Sequence, residues 1–227
     1  MIDPLRHLEV FSPHAFGGKR VDVIGAGATG SKVVLELAKL GVENIHVWDF
    51  DNVEEHNVAN QAFGNGDIGK LKVHALAEIV KAATGTDISA HVERVDGSQQ
   101  LGEVVFLLTD TMASRREIYE KGLKLKLRTK LLVETRMGAD GGRIYAFNPN
   151  RPSECRSWEK TLYTDDQTVV SACGASISVG PTASIIAGLA VWQMIRWFSI
   201  EFASADDTLE NEVIVSLRPM LVVTQKF

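Results

Sequence analysis

A glycine triplet placed between an apolar strand and an amphipathic helix constrains this chain more than any other feature. Arg20-Val-Asp-Val-Ile24 reads as a short strand and runs directly into Gly25-Ala-Gly-Ala-Thr-Gly30. Ser31 to Leu40 then carries Val33, Val34, Leu37, Ala38 and Leu40 at helical spacing, and Gly41 is a natural stop. Ile45-His-Val-Trp-Asp49 is the next strand. Strand, helix and strand within roughly 30 residues form a βαβ unit, which demands a parallel sheet and a right-handed crossover.

The alternation continues beyond that unit. Lys70 to Ala83 has helical spacing, Ile88 to Val95 alternates like a strand, and Glu103 to Leu108 is a continuous apolar run. Such a run suits a strand covered on both faces. Met112 to Leu125 reads as a helix and Lys130 to Glu134 as a strand. From Arg136 onward glycines precede Arg143-Ile-Tyr-Ala-Phe147, which predicts a switch to antiparallel strands. Residues 151–170 are polar and read as a surface loop; an apolar helix starting near Pro181 follows. Val213 to Leu217 and Leu221 to Thr224 close the chain as strands. The expectation is an α/β fold, a Rossmann-like and mainly parallel sheet with helices on both faces, extended by antiparallel strands. One domain over residues 1–227 is expected, with an N-terminal arm at 1–19 and a polar crossover loop at 151–172.

The formal net charge of −5 argues against a phosphate backbone as the main partner. Two cysteines, Cys155 and Cys173, exclude a disulfide scaffold and a four-cysteine zinc site within one chain. Met1 to Arg20 carries charges and no apolar stretch of the secretory type. The apolar segment from Ile177 to Phe198 is interrupted by Ser178, Pro181, Gln193 and Arg196 and reads as a core helix rather than a membrane span. A cytoplasmic protein is expected.

The glycines supply a tight turn, close backbone approach to phosphate, and a helix N-terminus with free N–H groups. An acid at the end of the next strand suits ribose hydroxyls, and Asp49 stands there, followed by Asp51. A structural turn with capping acids is the plainer account of the same residues. Asn57, Asn60 and Gln61 follow, then Lys70 and Lys72 at the start of a helix. Amide and ammonium groups suit a triphosphate and its leaving pyrophosphate, though a solvated loop and helix surface would also carry them. Asp110 follows the buried strand at the edge where open α/β sheets bind ligands. It could hold Mg²⁺ against phosphate oxygens or cap the helix from Met112.

Taken together, Val23 to Ser31, Asp49-Phe-Asp51, Asn57 to Gln61, Gly69-Lys-Leu-Lys72 and Leu108-Thr-Asp110 resemble the ThiF/MoeB/HesA superfamily, the fold of the ubiquitin-activating enzymes. Cys173-Gly174, Gly180-Pro181 and the apolar helix extend the likeness towards Phe198. The resemblance implies ATP- and Mg²⁺-dependent adenylation of the C-terminal carboxylate of a ubiquitin-like or sulfur-carrier protein with a flexible tail. It implies that Gly25, Gly27 and Gly30 approach the phosphates, that Asp49 binds ribose, that Asn57, Gln61 and Lys72 contact phosphates, and that Asp110 holds magnesium. It also implies a homodimer and, on the conjugating branch, a conjugating enzyme as a further partner; neither nucleic acid nor membrane is expected as a partner.

Three departures from the pattern stand out. Asn60 occupies the place of the family's arginine. Arg6 is the candidate for an arginine that reaches into the partner subunit's site, although it lies nearer the glycine loop than usual. Cys155 and Cys173 are singletons where many relatives carry zinc-binding pairs. Cys173, ahead of the apolar helix, is the expected acyl acceptor; Cys155 is the second choice, and an enzyme that stops at the adenylate is the third. A nicotinamide-dependent oxidoreductase fits the first 50 residues, and a degenerate nucleotide-binding scaffold fits the Asn60 departure. The six histidines are scattered without ligand spacing, the Lys121 to Lys130 cluster reads as a solvated face, and Trp192 to Phe198 read as core or dimer interface.

Overall fold

The computed structural model describes residues 3–165, 178–202 and 208–227. Eight strands form one sheet, β1 (Val21–Ile24), β2 (Ile45–Trp48), β3 (Ser89–His91), β4 (Val104–Leu107), β5 (Leu131–Met137), β6 (Gly141–Phe147), β7 (Glu212–Leu217) and β8 (Met220–Gln225). Their order across the sheet is β3-β2-β1-β4-β5-β6-β7-β8. The first five are parallel to one another, and the β5–β6, β6–β7 and β7–β8 pairs are antiparallel. The order reverses between β1 and β4, so the sheet has the switch point beside which such folds bind ligands.

The strand residues sort between two cores by alternation. Val21, Val23, Val104, Phe106, Leu131 and Val133 face one side, with α2 (Gly30–Lys39), α3 (Lys72–Thr84) and α6 (Gly180–Phe202). Ile24, Val105, Leu107 and Leu132 face the other, with α4 (Met112–Ile118) and α5 (Pro152–Glu159). The short α1 (Pro13–Phe16) inserts Phe16 beside Phe11 and Phe198 of α6. With 23 residues α6 is long and apolar enough to cross a bilayer, but it packs on α2, β5 and β6 and serves as a core helix.

Two expectations need correction here. The crossover at 151–172 is not a loop throughout, because residues 152–159 form α5. Pro152 pre-sets the first turn, and Cys155 and Trp158, one turn apart, are buried beneath it. Two apolar residues in eight carry no periodic signal, which is why this helix escapes a reading of the sequence. The second correction is the strand expected over Ile88 to Val95, of which only β3 pairs, at the sheet edge. The helix from Met112 is α-helical to Ile118 and finishes as a π-turn over Tyr119–Leu123.

Candidate nucleotide site

Above the C-terminal ends of β1, β2 and β4 lies a cavity of about 660 Å³, within the range of small-molecule sites. The glycine loop forms one wall. Gly25 has φ +98°, and a Cβ there would meet the Leu108 carbonyl oxygen at 2.7 Å. At Gly30 a Cβ would stand 1.9 Å from the Gly25 carbonyl oxygen, so the first turn of α2 closes on the loop only with glycine. Gly27 is different: nothing lies within 4 Å of its missing side chain. That opening faces the cavity ahead of α2, where backbone approach to a phosphate needs no Cβ.

Asp49 holds this loop in place. Its Oδ2 accepts the Ala26 N–H at 2.7 Å and its Oδ1 accepts the Asp51 N–H at 2.9 Å. Asp51 in turn pairs with Lys72 Nζ at 2.9 Å, and Lys72 is buried at the start of α3. Asn57 is buried, with its Oδ1 accepting the Glu54 N–H at 2.9 Å to close the turn over Glu55–Asn57. Asn60 and Gln61 reach the cavity wall beside Ser178. Asn60 Nδ2 donates to the Ser178 carbonyl at 3.3 Å, while Asn60 Oδ1, Gln61 Oε1 and Ser178 Oγ are buried without partners. Unpaired buried oxygens at a cavity wall call for donors from a ligand or water. At the position where the resemblance leads one to expect an arginine, Asn60 offers an amide that ties the residues before α6 to the site.

Asp110 is exposed on the cavity wall just past β4. It does not cap the helix that follows; Thr111 does, its hydroxyl accepting the Ser114 N–H. Among the described residues no group of three or more His, Cys, Asp or Glu could hold a metal. Asp110 on the wall of a cavity that Asp49 and Asp51 also line fits Mg²⁺, which binds through one or two carboxylates and substrate phosphates.

A buried ion cluster that sequence reading missed lies behind Asp110. Glu134 of β5 is fully buried and accepts from Arg115 Nη1, from Arg136 Nε at 3.0 Å and from Trp158 Nε1 at 3.2 Å. The available signal was a lone acid directly after the apolar run Leu131 to Val133, since a carboxylate in a strand covered on both faces needs partners.

Two further candidates lie away from this chain's own cavity, Arg6 being the one expected at the partner subunit's site. Arg6 is exposed, and its neighbour His7 hydrogen-bonds the Leu40 carbonyl at 3.2 Å, past the C-terminal end of α2. The cavity opens at the other end of this ten-residue helix, about 15 Å away. Cys155 lies under α5 with its thiol donating to the Pro149 carbonyl at 3.2 Å. Burial pushes that thiol up from its ordinary pKa, so it is a packing residue and not a mobile nucleophile. Cys173 lies outside the described residues.

Comparison with known proteins decides the family. The sequence model described as the ThiF family matches residues 16–217. This chain belongs to the ThiF family. It is 26% identical over 187 residues to the sulfur carrier protein ThiS adenylyltransferase of Escherichia coli K12, covering 79% of this chain and 72% of that one. It is 33% identical over 82 residues to the NEDD8-activating enzyme E1 catalytic subunit of Arabidopsis thaliana, covering 35% of this chain and 18% of that one. Among solved structures, E. coli MccB superposes with a TM-score of 0.74 at 14% identity, covering 98% of this chain and 67% of that one. That likeness is one of fold. For this ThiF-family chain, the glycine loop, Asp49 and Asp110 thus sit on a fold shared with proteins named as adenylyltransferases and activating-enzyme subunits.

Proposed function

We propose that this chain adenylates the C-terminal carboxylate of a ubiquitin-like or sulfur-carrier protein, using ATP and Mg²⁺. The observation that carries the reading is the open face of Gly27 at the mouth of α2, with Lys72 and Asp110 on the walls of the same cavity. The relative named for ThiS adenylylation and the solved complex of MccB with ATP support it.

The chemistry asks little of the protein in proton transfer. The carboxylate is already ionised; it attacks the α-phosphorus, the new O–P bond forms, the bond from the α-phosphorus to the bridging oxygen breaks, and pyrophosphate leaves. Alignment and charge stabilisation are what the site must provide. In this reading the glycine loop and the N-terminus of α2 take the phosphates, and Asp49 takes ribose hydroxyls with lone pairs left over from the Ala26 and Asp51 amides. Asn57, Gln61 and Lys72 contact phosphate oxygens, Lys72 exchanging Asp51 for the nucleotide. Bound Mg²⁺ would neutralise the charge of the phosphates, and Asp110 is the residue that would hold it.

On the conjugating branch, the Cys173 thiolate then attacks the acyl-adenylate carbonyl, a C–S bond forms, and AMP departs. The burial of Cys155 leaves Cys173 as the thiol to test. A homodimer, in which Arg6 serves the partner's site, and a cytoplasmic location belong to the same proposal. The nicotinamide-dependent alternative has no support in the family match.

ATP–pyrophosphate exchange tests the reading. Exchange is expected only when a carrier protein with a flexible C-terminal tail is added, and Asp110→Asn is expected to abolish it. Binding of NAD(H) in place of ATP, or unchanged exchange in Asp110→Asn, would overturn it. A reductant-sensitive adduct that persists in Cys173→Ala would overturn the thioester step alone.

A further inference from the structure

The buried cluster behind Asp110 has a definite direction. Arg115 donates Nε to the Thr109 carbonyl at 2.8 Å and also reaches that oxygen with Nη2, while Nη1 goes to Glu134. Thr109 is the residue before Asp110, so holding its carbonyl fixes the peptide plane from which Asp110 departs. The Thr109 hydroxyl is held as well, accepting from Ser114 Oγ at 2.9 Å. On the far side of Glu134, Arg136 reaches the Thr161 carbonyl at 2.6 Å and the Thr161 hydroxyl at 2.9 Å. Its guanidinium lies over the ring of Tyr145, 4.5 Å from the centroid.

Both guanidiniums are therefore engaged by protein groups. Arg115 borders the cavity, yet all three of its nitrogens are directed at Thr109 and Glu134. Only the second N–H on each of Nη1 and Nη2 is left over, so the main hold on this guanidinium comes from the protein itself. Buried ion clusters of this kind add little to stability over well-packed apolar residues, so what this one contributes is geometry.

We infer that Glu134 is a positioning residue for Asp110. Its carboxylate orients the Arg115 guanidinium, Arg115 locks the Thr109 carbonyl, and the lock aims the Asp110 carboxylate into the cavity. The inference rests on the proposed nucleotide reading, in which Asp110 meets magnesium on the phosphates. It assigns the magnesium-dependent part of nucleotide affinity to a residue that touches neither nucleotide nor metal.

Calorimetric titration with a non-hydrolysable ATP analogue, run with Mg²⁺ and again with EDTA, tests this. Glu134→Gln keeps the shape and one acceptor but removes the charge. It is expected to weaken binding with Mg²⁺ about tenfold, the scale of one charge-assisted hydrogen bond, and to leave binding in EDTA unchanged. The double variant Asp110→Asn/Glu134→Gln is expected to bind no more weakly than Asp110→Asn alone, because both changes act on one interaction. Arg115→Lys provides a second route if Glu134→Gln does not fold. Lysine keeps a buried cation for Glu134 but cannot span Glu134 and Thr109 together, and the same magnesium-specific loss is expected. Equal weakening with and without Mg²⁺, or additive losses in the double variant, would reduce Glu134 to a brace and overturn the inference alone. Absence of analogue binding by the wild-type chain would overturn the nucleotide reading and the inference with it.

Discussion

The Asp49 carboxylate accepts the Ala26 N–H at 2.7 Å, so the tip of β2 holds the middle of the glycine loop that follows β1. The same carboxylate accepts the Asp51 N–H and thereby sets the turn that presents Asp51 to Lys72. One side chain thus shapes two walls of the cavity. Asp49→Ala is expected to cost about 1–3 kcal/mol of stability, as for a buried donor left unpaired. It is also expected to weaken ATP binding by more than Asp51→Ala does. Denaturant melts and nucleotide titrations on the two variants check this; equal effects would remove the special role of Asp49.

Alanine at Gly30 and at Gly27 should separate folding from binding. At Gly30 the added carbon would overlap the Gly25 carbonyl, so a marked drop in melting temperature is expected. At Gly27 the space is open, and the melting temperature should stay within a few degrees of wild type while ATP affinity falls. A Gly27→Ala variant with full ATP affinity would show that phosphate does not approach that face.

Cys155 should be silent to thiol reagents in the folded protein. Its thiol is buried, raised in pKa by that burial, and engaged with the Pro149 carbonyl. In a Cys173→Ser background, a chromogenic disulfide reagent at mild alkaline pH should report no thiol until denaturant is added, and then a single one per chain. Rapid reaction of the native variant would contradict the packing described for α5.

His46 and His91 meet at the sheet edge, His46 Nδ1 lying 2.9 Å from His91 Nε2, with His91 stacked on Trp48 at 3.8 Å. Burial lowers both pKa values below the ordinary 6.5, with Arg20 adding to the effect and Asp22 opposing it. The unfolded chain therefore binds protons before the folded one does. Stability from this pair is complete above pH 6.5 and is lost as pH falls from 6.5 through the lowered folded values. The melting temperature should decline between pH 7.5 and 5, and the His46→Gln/His91→Gln double variant should show a shallower decline.

Much of the parallel core was legible because its residues obey two periods. Val21 to Ile24, Ile45 to Trp48 and Val104 to Leu107 are apolar enough to sit between two helix layers, and α2 and α6 begin at glycines that punctuate the chain. The glycine turn ahead of α2 and the place of Asp49 past β2 were legible because they depend on local spacing. Helix α5 was not, since Trp158 and Cys155 acquire meaning only from the core that Tyr119 and Phe147 build above them. The cluster of Arg115, Glu134 and Arg136 was hidden for a related reason. Arg115 looks like a helix surface residue until β5 brings Glu134, 19 positions later, against it.

The sequence alone therefore determined the α/β alternation, the glycine loop and the carboxylate past β4, because each depends on neighbours within a few residues. Only the tertiary structure decided what faces those groups. It turned Asn60 towards Ser178, 118 positions away, and left unpaired oxygens at the cavity wall. It left Arg6 at the far end of α2, and it placed Cys155 in a core. Side chains far apart in sequence meet only when burial of two apolar faces sets the sheet order, and that order joins the ends of β1, β2 and β4 into one cavity.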